Sequence, residues 1–144
     1  MRLGFYSEAA RRNIVKARAF IAQKGYGATT DDIRKCRQDF LDPGVSAELR
    51  SIAALPDFFS ISECRDLLFH VQESRTGIPA IKAFIAEHAL TFIGFEFERA
   101  TLQKTRELFA GAGWSLNDLD RWHAVETQYP DTFSSMYQFW LQKS

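Results

Sequence analysis

Apolar and polar residues alternate in three short stretches of the chain, which is the pattern of β-strands. Near the start, Leu3 and Phe5 share one face. In the middle, the odd positions from Thr91 to Phe97 face one way and the even positions face the other, so we expect one half-covered face. Near the end, aromatic residues dominate a third stretch. The three predicted strands cover residues 2–6, 90–98 and 136–142.

Between the strands, apolar residues recur every three or four positions, as they do on a helix. Ser7 is placed to cap the first helix, Thr30 to cap the second, and Ser60 with Glu63 has the spacing of a capping box. Gly25 has the position of a C-cap. Seven helical segments cover residues 8–24, 31–40, 47–54, 61–71, 80–88, 101–109 and 115–128. The third of them is short, so we expect about six helices.

Strands at the start, middle and end with helices between them predict an α+β fold with a small three-stranded mixed sheet. The length of 144 residues suits a single domain over residues 1–144. The hydrophobic content of 46% with 13 Phe excludes a disordered chain. Because 18 basic residues offset 18 acidic ones, no overall charge attracts nucleic acid or an anionic membrane.

Several classes of protein are excluded by what the chain lacks. Its apolar runs are far shorter than a membrane span requires, and its first residues have no signal-peptide pattern, so we expect a cytoplasmic protein without membrane contact. Cys36 and Cys64 stand apart from each other and from histidines. We therefore expect reduced, structural thiols and no metal site.

Three local patterns are candidates for binding or catalytic chemistry. Residues 11–37 hold eight basic side chains and two acidic ones, but the basic residues surround the apolar stripe, so we favour a solvated helix surface over a nucleic-acid surface. Asp66 lies one turn before His70 and could orient its imidazole, although a locally satisfied histidine is the plainer interpretation. Glu96 and Glu98 form a possible carboxylate pair, for which simple solvation is the plainer interpretation.

A phosphate-binding loop is not predicted. Gly111 and Gly113 follow a helix rather than a strand, whereas a phosphate-binding turn joins a strand to the N-terminus of a helix. The chain contains no GxGxxG, GxxxxGK[ST] or GxSxG motif. An independent cofactor enzyme is therefore not expected.

Four strings carry a family resemblance: RLGFYSEAARR at residues 2–12, CRDLLFHVQE at 64–73, IKAFIAEHALTFIGF at 81–95 and LDRWHAVETQYPDTFSSMYQFWLQK at 119–143. They resemble the C-terminal half of bacterial class I S-adenosylmethionine-dependent methyltransferases, of the type fused to tetratricopeptide repeats. The resemblance implies that the chain is a fragment of an α/β methyltransferase-like fold. It also implies a helical insertion over the substrate pocket at residues 25–70, and a last strand lying between the first and middle strands, antiparallel to both.

The first four strands of that family, with the glycine-rich loop and the acidic residue that hold S-adenosylmethionine, have no counterpart in the chain. The resemblance therefore implies a substrate-side domain that binds no cofactor and is inactive alone. S-adenosylmethionine is implied for a full-length relative only. The chain has the look of a truncated C-terminal half, whose partner would be the missing N-terminal half.

Under this resemblance, the substrate-binding residues belong near the end of the first strand, where open α/β sheets bind ligands. The predicted set is Tyr6, Ser7, Glu8, Arg11, Arg12, Asp66 and His70. No catalytic residue is assigned. The plainer alternative is that Ser7 only caps a helix and Tyr6 only packs in the core.

The first strand would also lack a neighbour on one side, which leaves unpaired backbone groups at a sheet edge. We expect a symmetric homodimer in which this edge pairs with its twin. The predicted dimer edge consists of Arg2, Leu3, Gly4, Phe5 and Tyr6. The alternative to a methyltransferase-like domain is a noncatalytic α+β domain for protein interaction or dimerisation.

Overall fold

A mixed four-stranded sheet and seven α-helices make up the part of the chain that the computed structural model describes, residues 1–70, 72–110, 113 and 115–144. This architecture confirms the predicted α+β class. The strands are β1 (Arg2–Ser7), β2 (Arg75–Thr76), β3 (Leu90–Phe95) and β4 (Met136–Lys143). The helices are α1 (Arg12–Lys24), α2 (Thr30–Leu41), α3 (Ala47–Arg50), α4 (Ile61–Leu68), α5 (Ile78–Glu87), α6 (Arg99–Phe109) and α7 (Leu119–Gln128), with 3-10 helices at Ser51–Ala54 and Pro56–Phe58.

The strand order is β2-β1-β4-β3. β4 lies between β1 and β3 and is antiparallel to both, as predicted, so β1 and β3 run in the same direction. The prediction of three strands was wrong by one, because β2 pairs in parallel with the end of β1, with Tyr6 opposite Arg75 and Ser7 opposite Thr76. A strand of two residues is too short to produce an alternating pattern.

A β-bulge interrupts β3 and changes which side chains face the core. The register with β4 shifts between Phe92 and Gly94, and Gly94 has a φ of 156°. The extra residue, Ile93, is exposed, while Phe92 and Phe95 both contact Phe139 in the core. The predicted alternation over residues 90–98 was therefore wrong, because a bulge moves the following side chains to the other face.

Several helix boundaries differ from the predicted ones. The first helix begins at Arg12 rather than at residue 8, because Ser7 Oγ accepts a hydrogen bond from Ala10 N at 3.1 Å and closes a separate turn. The second helix is capped by Thr29 rather than Thr30, and the last begins after Asp118 rather than at residue 115. Ser60 caps α4 as predicted. Val71 and Gly111, both named in the predictions, lie outside the described residues.

The chain separates into two compact units, which we name the sheet unit (residues 1–10 and 74–144) and the helical unit (residues 11–73). In the sheet unit, helices α5 and α7 pack on one face of the sheet around Trp122, Tyr137 and Phe139, all fully buried. The other face carries Gln138 and the exposed Trp140. One domain over residues 1–144 stays a prediction.

The helical unit has a core of its own. Ile33, Phe40 and Phe58 are buried there together with the two cysteines. Both thiols are free, and burial raises the pKa of Cys36 to about 12. A thiol with so high a pKa is a poor nucleophile, which agrees with a structural role. Within the described ranges, no helix is long and apolar enough to cross a membrane.

Candidate functional site

The parallel strands β1 and β3 end at the same edge of the sheet, where β4 begins. We call this the carboxyl edge. Ser7 N donates to Ser135 O at 3.0 Å and Glu96 N donates to Gln138 O at 2.7 Å, so the ends of β1 and β3 are both tied to the start of β4. Ligands of open sheets bind beyond the carboxyl ends of parallel strands. The predicted residues Tyr6, Ser7 and Glu8 lie at the β1 end of this edge.

A buried carboxylate, that of Glu126, lies beneath the carboxyl edge, next to the last residue of β1. Ser7 Oγ donates to Glu126 Oε1 at 2.7 Å, and Tyr137 OH donates to the same carboxylate at 2.7 and 2.8 Å. Ser7 and Tyr137 have no exposed surface, and Glu126 is 3% exposed. Burial and the neighbouring carboxylate raise the pKa of Tyr137 well above its usual range.

This cluster resembles a hydroxyl nucleophile beside a base, but its position argues against that chemistry. A nucleophile must reach a substrate, and the Ser7 hydroxyl is enclosed and already engaged with Glu126 and Ala10 N. The cluster instead joins β1, β4 and α7, so its role is structural. Sequence reasoning missed Glu126 and Tyr137, since nothing in their spacing shows that they meet.

The other two predicted residues at this edge differ in access. Tyr6 is half-buried and pairs with Arg75 of β2, while Glu8 is exposed and its backbone N donates to Thr76 O at 3.0 Å. Of the three predicted residues at the end of β1, Glu8 therefore has the most accessible side chain. Ser7 is the least accessible.

The remaining predicted residues belong to the helical unit, where one of them forms a buried ion cluster. Arg11 and Arg18 both bind Glu73, with Arg18 Nη2 at 3.0 Å from Glu73 Oε2. The three side chains are between 5% and 10% exposed. Burial disfavours the charge on Glu73, but the two guanidinium groups outweigh it and lower its pKa to about 2. Arg11 is therefore occupied as a structural partner of Glu73.

Asp66 and His70 meet on α4 and the turn after it, as the one-turn spacing predicts. His70 Nε2 lies 3.6 Å from Asp66 Oδ1, and both side chains are about two-thirds exposed. This pair lies on the surface of the helical unit rather than in an enclosed pocket. Arg12 is half-buried at the start of α1.

The basic segment at residues 11–37 is largely matched by acidic partners within the helical unit. Besides Arg11 and Arg18, four cations lie beside carboxylates; these pairs are Lys16–Glu48, Lys24–Asp39, Arg34–Asp31 and Lys35–Asp32. Arg37 lies over the ring of Phe58, 5.1 Å from its centroid. Paired cations produce a weaker field than the sequence count suggests, which favours the solvated-surface interpretation.

Two adjoining cavities open beside the carboxyl edge, and neither was predicted. The smaller, of about 440 Å³, is lined by Glu96, Glu98 and the segment around Ser135. The larger, of about 840 Å³, lies along α6 and is lined by Lys104 and Glu107 among others. Both cavities share Thr101, Thr132 and Ser134, so together they form one groove, which we name the carboxyl-edge groove.

Glu96 and Glu98 do not act as a carboxylate pair on a strand face, because β3 ends at Phe95. Glu96 binds Arg2 at 2.8 Å and accepts a hydrogen bond from Trp140 Nε1 at 3.2 Å. Glu98 is the residue before α6, and its side chain makes no capping hydrogen bond. The two carboxylates nevertheless line the same cavity.

The outer edge of β1 is open over part of its length. Met1 and Leu141 exchange backbone hydrogen bonds and Ser7 N bonds Ser135 O, so the odd-numbered residues of β1 point their backbone groups toward β4. The even-numbered residues point theirs outward. β2 meets Tyr6 there, but no strand of the described residues pairs with Arg2 or Gly4 on that side.

The described residues contain no group of three histidine, cysteine or acidic side chains placed to hold a metal ion. No protein-family model and no curated protein matches the chain.

Proposed function

We propose that the chain is the substrate-side domain of a methyltransferase-like protein, and that its sheet is completed by another strand at the outer edge of β1. The observation that carries this proposal is the strand arrangement. An antiparallel β4 lies between the parallel strands β1 and β3, which is the order that the resemblance implies for the last three strands of the methyltransferase fold.

The open part of β1 supports the same proposal. In a sheet that contains all the strands of the methyltransferase fold, β1 would have a parallel neighbour on the side away from β4. β2 occupies that side only at Tyr6 and Ser7, and it is parallel to β1. The outward backbone groups of Arg2 and Gly4 are therefore available to a longer parallel strand, and pairing would satisfy their hydrogen-bonding capacity.

On this proposal, S-adenosylmethionine binds to the N-terminal half of the methyltransferase fold. That half carries the family's first four strands, which are not the strands β1 to β4 of this chain. The acceptor of the methyl group then approaches the carboxyl edge, where Glu8 is exposed. The hydrogen-bonded side chains of Ser7, Glu126 and Tyr137 are buried beneath this edge. They hold the ends of the strands in place and do not contact the acceptor.

Binding of S-adenosylmethionine tests the proposal. The isolated chain and a polypeptide extended by the coding sequence that precedes it are compared by isothermal titration calorimetry. We expect saturable binding to the extended polypeptide and none to the isolated chain. Binding by the isolated chain would contradict the proposal, and so would an extended polypeptide that has no glycine-rich α/β half and binds no cofactor.

A second candidate is a noncatalytic dimerisation domain. The specific observation in its favour is again the outer edge of β1, because an exposed strand edge can pair with the same edge of a second copy. Dimerisation through Arg2, Leu3, Gly4, Phe5 and Tyr6 stays a prediction, with Tyr6 already paired to β2 on that side. Self-association through β1, together with an extended polypeptide that binds no S-adenosylmethionine, would favour this candidate.

A further inference from the structure

We propose that the strand that completes the sheet at the outer edge of β1 carries an aromatic residue opposite Gly4. This inference rests on the proposed function, because it takes the added strand to be one from the N-terminal half of the methyltransferase fold. The aromatic side chain would fill a hollow of about 190 Å³ beside that edge. The hollow lies on the face of the sheet that carries Gln138 and Trp140.

Gly4 forms the floor of the hollow because it has no side chain. It pairs with Gln138 of β4, and a Cβ at position 4 would lie 3.4 Å from Met136 Cε, so the methyl group of Met136 reaches over the glycine. The lining residues all belong to β1 and β4; they are Arg2, Leu3, Gly4, Met136 and Gln138. The hollow is therefore open toward the outer edge of β1.

The outward backbone groups of β1 and the hollow meet at the same residue. The N–H and C=O groups of Gly4 point away from β4, and β2 pairs with β1 only at Tyr6 and Ser7. Neighbouring strands of a sheet lie about 4.8 Å apart, and residues opposite each other place their side chains on the same face. The residue of an added strand opposite Gly4 therefore projects its side chain beside the hollow, and a large side chain there leans over the glycine.

The groups around the hollow favour an aromatic ring over an aliphatic side chain. Arg2 Nε donates to Glu96 Oε2 at 2.8 Å and Arg2 Nη2 donates to Gln138 Oε1 at 2.5 Å, so the guanidinium group is held in place. A guanidinium group stacks on aromatic rings, and the thioether of Met136 makes favourable contacts with them. Aromatic residues also cover glycines on neighbouring strands. A ring over Gly4 therefore combines three favourable contacts.

Competition binding to the full chain tests this inference, with synthetic peptides as probes of the added strand. A fluorescently labelled peptide of threonines with one central phenylalanine is displaced by unlabelled peptides whose central residue is phenylalanine, cyclohexylalanine or alanine. The phenylalanine peptide should bind about fivefold more tightly than the alanine peptide, with the cyclohexylalanine peptide between them. Phenylalanine binding no tighter than alanine or cyclohexylalanine would overturn the inference, and so would the absence of saturable binding.

Gly4→Val tests whether the preference arises at the hollow. Valine suits a strand, fills the hollow and keeps the N–H of residue 4, so this variant should bind the phenylalanine and alanine peptides equally. Gln142→Val is the matched control, because it introduces the same side chain at an exposed position of β4, opposite Thr91 and outside the hollow. The control should keep the fivefold preference. A preference that persists in Gly4→Val, or that disappears in Gln142→Val, would count against the hollow.

The proposed function is tested separately, by S-adenosylmethionine binding to the extended polypeptide. A preference for phenylalanine without cofactor binding by the extended polypeptide would contradict the proposed function but not the aromatic site over Gly4. Cofactor binding without that preference would contradict the aromatic site alone.

Discussion

Two buried carboxylates, Glu73 and Glu126, are satisfied in different ways. Glu126 accepts hydrogen bonds from two neutral hydroxyl groups, whereas Glu73 lies between two guanidinium groups. A buried charge with full partners fixes one packing arrangement, but the loss of a single partner leaves an uncompensated group. Each glutamate is therefore expected to be intolerant of change for a structural reason.

Glu73 makes the stability of the helical unit dependent on pH. Its pKa falls from an ordinary 4.5 to about 2 on folding, which corresponds to about 3 kcal/mol. Because the folded-state pKa is the lower one, this stabilisation is complete above about pH 5. It is lost as the pH falls through the interval down to about 2. Glu73→Gln should therefore lower the free energy of unfolding by about 3 kcal/mol at neutral pH and by little near pH 2.

Urea unfolding followed by circular dichroism at several pH values measures this difference. Glu48→Gln is the control, because Glu48 also binds a cation, Lys16, but its side chain is 44% exposed and solvent screens the pair. The control should lose much less stability at neutral pH. The loss of unfolding free energy in Glu73→Gln should depend on pH and exceed the loss in Glu48→Gln. A loss that does not change with pH, or one no larger than the control's, would be inconsistent with a stabilising ion cluster.

At the scale of the elements, the bulge in β3 determines which aromatic residues enter the core of the sheet unit. Gly94 allows the bulge to form because its φ is 156°, a backbone conformation that residues with a Cβ atom rarely adopt. A Cβ at this position would be 3.9 Å from Asn117 Oδ1, which is an ordinary contact. The requirement for glycine is therefore one of backbone conformation and not of space.

Gly94→Ala should lower the free energy of unfolding by about 1–2 kcal/mol, because alanine is strained at this φ. Urea unfolding monitored by tryptophan fluorescence measures the loss, since Trp122 is buried in the same unit. Gly4→Ala serves as the control, because Gly4 lies in β1 without a positive φ. If the two variants lose the same free energy of unfolding, backbone strain at Gly94 is not the cause of the loss.

The sequence predicts elements well where a pattern is long and local. The strands at both ends of the chain and the cap at Ser60 are confirmed. The central position of β4 is also confirmed, but it was implied by the family resemblance and not by a local pattern. It does not predict β2, which has two residues, or the bulge at Gly94, which breaks the alternation on which a strand prediction depends. Short elements take their structure from their neighbours, so periodicity cannot reveal them.

The candidate site is less predictable than the fold for a similar reason. Ser7 is placed correctly at the end of β1, but its partner Glu126 lies 119 positions away in the chain. The groove is assembled from α6 and the segment before β4, which no motif connects. The contact between Asp66 and His70 is predictable because the two residues are four positions apart in the sequence, one at the end of α4 and one in the turn after it. Residues that meet only through tertiary packing have no regular separation in the sequence, so a sequence pattern cannot reveal their contact.

For the molecule as a whole, the proposed function requires the outer edge of β1 to pair with another strand. Arg2 and Gly4 direct their backbone N–H and C=O groups away from β4, and β2 covers only the end of the strand. A sheet edge in this state is stabilised when another strand adds to it. In the isolated chain, the available strand is that of a second copy.

The most direct measurement is the molar mass in solution, determined by multi-angle light scattering over a range of concentrations for the parent chain, Gly4→Ala and Gly4→Pro. Proline removes the outward N–H of residue 4 and is tolerated at a sheet edge, whereas alanine keeps that N–H. Strand pairing at the outer edge of β1 predicts dimers for the parent chain and Gly4→Ala, and a folded monomer for Gly4→Pro. A parent chain that is monomeric at every concentration, or a Gly4→Pro variant that dimerises as the parent does, would contradict it.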